Sequence, residues 1–180
     1  AIKQPGQFIE VVAAVAREMD DVRAAVIGAG PLQPELETQA ERLGVEDRMA
    51  FLGRRTDVDA LLARSRVFVL TSKWEGLSIA LIEAMAAGAV PVVADVGELG
   101  DLVRSGRNGY LVMPNAVDAY ARHALDLLGD RDCWARMSAE ATAAALRHCG
   151  RAVIAGRWRD ELDRLIARTG GAHGTDHEAG

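Results

Sequence analysis

The stretch VFVLTSKWEGLSIALIEAMAAGAVPVVA, Val67 to Ala94, decides how the rest of the chain is read. Val67-Phe68-Val69-Leu70 is a β-branched and aromatic run that reads as a buried strand, and Pro91-Val92-Val93-Ala94 reads as a second one. Between them lie a polar loop, Thr71-Ser72-Lys73-Trp74-Glu75-Gly76, and a helix expected from about Ser78 to Ala87 and stopped by Gly88. Strand, glycine-bearing loop and helix start together suit an anion. The first N–H groups of a helix lack internal partners and carry the positive end of its dipole.

Two carboxylates frame this stretch. Glu75 lies in the loop, and Glu83 sits in the helix with only Ile79, Ala80, Ala86 and Ala87 three and four residues away. Two readings of Glu83 are open. It lies on the solvated edge of the helix, or it accepts hydrogen bonds from hydroxyls of a ligand whose charged end rests on the helix start. The two ends of such a ligand would lie roughly 8 Å apart at 1.5 Å per residue, about the reach from a diphosphate to a ribose.

Working outward, Pro5 to Glu18 forms an amphipathic helix with Phe8, Ile9, Val12, Val15 and Ala16 on one stripe, preceded by Lys3. Arg23–Ile27 and Arg48–Leu52 read as strands, each followed by a glycine turn: Gly28-Ala29-Gly30 and Gly53-Arg54-Arg55-Thr56-Asp57-Val58. Gly28 and Gly30 would let backbone approach a ligand closely, although the pair lacks the third glycine of a dinucleotide fingerprint. Arg54 and Arg55, at a strand's C-terminal end, can meet phosphate or hold a nearby acidic loop.

Pro34–Leu43 and Asp57–Arg64 read as helices, and Tyr110–Val112 is a last strand after the turn Gly106-Arg107-Asn108-Gly109. Helices follow at about Ala116–Leu128 and Arg131–Arg147. A final amphipathic helix carries Ile154, Trp158, Leu162, Leu165 and Ile166. Strands alternating with helices imply an α/β, Rossmann-like, doubly wound parallel sheet with flanking helices. One domain is expected over residues 1–168, with a disordered Gly- and His-rich tail over 169–180.

Composition narrows the function classes. An apolar content of 49% with 26% charged residues fits neither disorder nor a membrane class. Lys plus Arg number 21 against 26 Asp plus Glu, so the formal charge is −5, which argues against nonspecific nucleic-acid binding. No apolar run reaches the ~20 residues of a membrane span. Cys133 and Cys149 show no metal-ligand spacing or disulfide pattern and read as reduced thiols of a cytoplasmic protein. The chain begins with Ala rather than Met, a first sign of a piece of a longer protein.

Glu75-Gly76-Leu77-Ser78-Ile79-Ala80-Leu81-Ile82-Glu83 resembles the E-x7-E signature of retaining GT-B glycosyltransferases, especially family 4. The likeness extends from Lys3 to about Ile166. It takes in Ala25-Val26-Ile27-Gly28-Ala29-Gly30-Pro31-Leu32, Phe51-Leu52-Gly53-Arg54, Ala84-Met85-Ala86-Ala87-Gly88-Ala89-Val90-Pro91-Val92-Val93-Ala94 and Asn108-Gly109-Tyr110-Leu111-Val112. The resemblance implies the C-terminal, donor-binding half of a GT-B fold that transfers a glycosyl group from a nucleotide-diphosphate sugar. A UDP-sugar is the first choice on family frequency.

By the same resemblance Glu83 binds the ribose, and Glu75 with the N–H groups of Gly76, Leu77 and Ser78 meets the donor sugar and phosphates. Lys3 neutralises the leaving diphosphate, Gly28 and Gly30 line the cleft, Arg54 lies near the nucleotide, and Val58 offers backbone beside the base. No metal and no further cofactor is expected. The family places one more strand before Lys3, central in the sheet, and an N-terminal domain that holds the acceptor. Both are expected to be missing here, which leaves a non-catalytic nucleotide-sugar-binding half-domain as the alternative.

Overall fold

A computed structural model describes residues 2–150 together with Arg159 and Arg164. The expected helix over Ile154–Ile166 and the tail over 169–180 lie outside the described residues, apart from those two arginines. The chain divides into two units, Ala1–Ala145 and Leu146–Gly180. The first holds all the strands described below.

Five parallel strands form, at β1 Ala24–Val26, β2 Met49–Phe51, β3 Val67–Leu70, β4 Val90–Ala94 and β5 Tyr110–Val112. Helices α1 Pro5–Ala16, α2 Gln33–Arg42, α3 Val58–Ala63, α4 Ile79–Ala86, α5 Leu99–Leu102, α6 Val117–Gly129 and α7 Arg131–Cys149 alternate with or follow them. This is the expected α/β fold of parallel strands with flanking helices. Among the described residues the strands do not share one sheet: β1 pairs only with β2, and β3-β4-β5 form a separate three-stranded sheet. The break falls between β1 and β3, where the resemblance places one more strand.

The break changes what the strand sequences bury. β4, between two neighbours, is buried at every residue, whereas β3 is only half-buried along its whole length. Val67-Phe68-Val69-Leu70 is therefore not the fully buried strand its composition suggests, because one of its edges has no partner among the described residues.

Helix α1 joins the two sheets and is buried more widely than a single stripe. Ile9 and Ala13 pack with Ala40, Val45, Met49 and Phe51 beside the β1-β2 sheet. Val11 joins Val90, Val92, Tyr120 and Leu127 on the β3-β4-β5 side, and Val15 meets Ala121 and Ala124. Phe8 and Ala16, expected inward, are half-buried, while Val11 and Ala13 are buried. A helix wedged against two sheets and a neighbouring helix needs apolar residues on more than one face. Each such side chain contributes on the order of 1.5–3 kcal/mol when fully buried.

Candidate functional site

The loop between β3 and α4, Thr71 to Ser78, is tied to the start of the chain. The Lys73 N–H donates to the Ile2 carbonyl at 2.8 Å, and Thr71 Oγ1 donates to the Gln4 carbonyl at 2.9 Å. Gln4 carries left-handed backbone angles, φ 44 and ψ 54, a conformation that costs an L side chain roughly 1–2 kcal/mol. These bonds hold that turn, and the turn sets Lys3 above the loop. From below, the buried Tyr120 hydroxyl donates to the Leu70 carbonyl at 3.4 Å, just before the loop begins. Burial pushes the Tyr120 phenol far above its ordinary pKa, so it stays a neutral donor.

Lys3 and Glu75, 72 residues apart in sequence, meet directly. Lys3 Nζ lies 2.5 Å from Glu75 Oε1, and Ser72 Oγ donates to the same oxygen at 2.6 Å. The Glu75 side chain is 8% exposed and that of Lys3 63%, so a shielded carboxylate faces a cation on the open side. A buried carboxylate survives in that setting because two charge-assisted hydrogen bonds replace its water.

Helix α4 follows at once. Ser78 is its N-cap, its hydroxyl accepting from the Leu81 N–H at 3.4 Å, so the helix begins at Ile79 rather than Ser78. No described residue accepts from the backbone N–H groups of Gly76, Leu77, Ser78, Ile79 or Ala80. Five successive N–H groups without an acceptor, at and just before a helix start whose dipole is positive, directly follow the residue that Lys3 pairs with, a setting that favours an anion. Around these groups Trp74, Leu77 and Ile79 are exposed at 66%, 53% and 71%.

Glu83 lies further along α4 and is exposed, as are Ile79, Ala80 and Ala86 on the same side. Burial among apolar neighbours is thus no reason for it to need a partner. Its carboxylate has no hydrogen bond or ion pair among the described residues and is free to accept from a ligand.

The other residues singled out in the sequence fall on the neighbouring loops. The Gly28 N–H donates to the Gly53 carbonyl at 2.7 Å and its φ of 128 suits glycine, joining the two glycine turns. A Cβ at Gly30 would meet nothing within 4 Å. Arg54 is exposed and makes no contact that fixes its guanidinium. Arg55 forms a two-pronged bond to Asp57, at 2.8 and 2.7 Å, so it holds the acidic loop. That hydrogen bond is the main cause lowering the Asp57 pKa. The Val58 side chain packs with Leu62, Ala84 and Ala89, which brings the 54–58 segment against α4 one residue from Glu83.

Sequence reading did not assign Ser72, Thr71 or Gly97. Ser72 stands three residues before Glu75 in the same loop, a spacing that allows a hydroxyl–carboxylate bond. Two Asp-x-Asp tripeptides occur, Asp57-Val58-Asp59 and Asp130-Arg131-Asp132. Asp57 pairs with Arg55, and Asp130 accepts from the Asp132 and Cys133 N–H groups at the start of α7. Among the described residues no three His, Cys, Asp or Glu side chains gather as metal ligands, and no helix is long and apolar enough to cross a membrane.

A parallel α/β domain with an anion cradle at the carboxyl ends of its strands defines a class of binding domains. Within that class the family is explicit. Residues 2–144 match the family model of glycosyl transferases group 1, and the chain belongs to that family. It is 35% identical over 156 residues to D-inositol 3-phosphate glycosyltransferase of Streptomyces scabiei, an alignment covering 80% of this chain and 35% of that protein. The N-acetyl-alpha-D-glucosaminyl L-malate synthase of Bacillus anthracis is 29% identical over 140 residues, covering 78% of this chain and 36% of that one. The chain thus spans about a third of these relatives' length.

Among solved structures, Anabaena HepE in complex with UDP-glucose superposes with a TM-score of 0.82 at 28% identity, covering 91% of this chain and 46% of that one. The C-terminal domain of a group 1 glycosyl transferase from Francisella tularensis superposes with a TM-score of 0.75 at 22% identity, covering 82% of this chain and 80% of that domain. The latter likeness is one of fold.

Proposed function

We propose that the chain is the donor-binding domain of a family 4-type retaining GT-B glycosyltransferase, with Glu75 and Glu83 as the two acids of its E-x7-E motif. The observation that carries this reading is the meeting of Lys3 with the shielded Glu75 beside the unpaired N–H groups of Gly76 to Ala80. The substrate is a nucleotide-diphosphate sugar, and the likeness to HepE, solved with UDP-glucose, makes a UDP-sugar the first to try.

On this reading the diphosphate rests on the Gly76–Ala80 amides with Lys3 beside it. Glu83 accepts from the ribose hydroxyls, and Glu75 meets the transferred sugar. Gly28, Gly30, Arg54 and the backbone at Val58 border the nucleoside. When the glycosyl bond breaks, negative charge grows on the leaving diphosphate. Donors already aimed at it stabilise that charge without reorganising, the contribution a metal ion makes at other sites. No metal is part of the scheme. Retention of configuration is part of the proposal, in line with the resemblance of the Glu75–Glu83 stretch to the E-x7-E signature.

Transfer requires an acceptor, and an N-terminal domain supplies its site. Cys133 is a free thiol, which suits a cytoplasmic location. A second reading, a nucleotide-sugar-binding module without transfer, draws on the Lys3–Glu75 pair and the unpaired N–H groups beside it, which serve binding alone as well as they serve transfer. Calorimetry with UDP, GDP and ADP sugars tests donor binding, and joining an N-terminal domain from a relative tests transfer. Tight binding with no transfer in the joined protein favours the second reading. No binding of any of the three rejects both.

A further inference from the structure

We infer that Ser72 and Gly97 are positioning residues that clamp Glu75, leaving one carboxylate oxygen free for a hydroxyl of the transferred sugar. The inference deepens the donor-site reading above and rests on it.

The side chain is held first. Ser72 is fully buried, and its hydroxyl and Lys3 Nζ both bond Oε1 of Glu75, at 2.6 and 2.5 Å. Oε2 receives no bond from a described residue, yet it is not among the buried side-chain atoms left without a partner. One oxygen is thus saturated and fixed while the other stays reachable. A carboxylate oxygen in that state accepts from a hydroxyl, and a hydroxyl-bearing sugar supplies such a donor where a phosphate does not.

The backbone is held second. Gly97 lies in the turn after β4 with φ +55, and a Cβ built on it would stand 1.7 Å from the Glu75 carbonyl oxygen. No side chain fits there. The turn can seat on Glu75 only because residue 97 is glycine, in both conformation and space. Ser72 follows β3 and Gly97 follows β4, so the loops after two adjacent strands meet at one residue, one at its side chain and one at its backbone.

Such a grip has a function because Glu is rich in rotamers. Ordering a glutamate side chain costs rotamer entropy, and a clamp formed before the ligand arrives removes that cost from binding. The benefit reaches only ligands that touch Glu75. A nucleotide sugar does so on this reading, and its bare nucleoside diphosphate does not.

The test is calorimetry of UDP-glucose and UDP on the chain and on its Ser72→Ala and Gly97→Ala variants. Ser72→Ala is expected to weaken UDP-glucose about tenfold, the effect of one lost charge-assisted hydrogen bond, while UDP stays within about twofold. Gly97→Ala is expected to show the same split with a lower melting temperature. Should it fail to fold, Ser72→Ala carries the test alone. Unchanged affinity for both ligands in Ser72→Ala, or an equal loss for both, overturns the clamp. Failure of the unaltered chain to bind either ligand rejects the donor site itself, and the clamp's role with it.

Discussion

The Lys3–Glu75 contact joins the first residues of the chain to the centre of the site, and a double-mutant cycle measures it. Lys3→Met keeps the aliphatic stem and removes the charge; Glu75→Gln keeps the shape and removes the opposite charge. Two limits bound the magnitude. A charge-assisted hydrogen bond contributes about 1.5–3 kcal/mol, whereas an exposed pair contributes about 0–1 kcal/mol. Here the carboxylate side chain is 8% exposed and the lysine 63%, at a separation of 2.5 Å, so the pair falls between those limits.

We expect Lys3→Met to cost about 1–2 kcal/mol, because it leaves a shielded carboxylate with Ser72 alone. The coupling energy in the cycle should be about 1 kcal/mol. Urea unfolding followed by circular dichroism reads it, with the m-value unchanged if only the pair is affected. Raised salt should shrink the coupling only partly, since one partner is out of bulk water. A coupling energy below about 0.3 kcal/mol, within the scatter of additive sites, would refute the claim that Lys3 and Glu75 form a coupled pair.

Other perturbations give separate readings. Gln7 is 7% exposed and neither of its amide atoms has a partner, so Gln7→Leu should raise stability by about 1 kcal/mol in urea titration, unlike most buried substitutions. Thr71→Val removes the hydroxyl that donates to the Gln4 carbonyl, and should cost about 1 kcal/mol and speed amide exchange near Gln4. Asp57 has its pKa lowered chiefly by the Arg55 hydrogen bond. Its contribution to stability is therefore present above the unfolded-state pKa and lost as pH falls through the lower folded value. Arg55→Ala should return the Asp57 titration toward the ordinary range, as read by carboxyl carbon resonances.

Much of the fold was legible because local patterns and tertiary packing agree. The runs at Val67–Leu70 and Val90–Ala94 are strands wherever they sit, and Gly44 and Gly88 end helices through positive φ values of 68 and 89. What local pattern could not supply was the neighbourhood. Nothing in Val-Phe-Val-Leu states that β3 has one neighbour rather than two, so its half-buried state became visible only in the assembled sheet. Likewise α1 buries Val11 and Ala13 off its expected stripe because two sheets flank it. At the site, Glu75 stood out by its place in the loop and Lys3 through the resemblance, yet their meeting depends on the left-handed turn at Gln4, which no residue preference signals. Gly97 was hidden for a related reason: its role is defined by distance to Glu75, not by spacing along the chain.

Glu83, exposed on α4 beyond the unpaired N–H groups of Gly76 to Ala80, is proposed to hold the ribose of a nucleoside diphosphate. Calorimetric titration of the chain and its Glu83→Ala variant with UDP addresses it most directly. The chain is expected to bind and the variant to lose about 1–3 kcal/mol of affinity at an unchanged melting temperature. Equal affinity in the two proteins would contradict it.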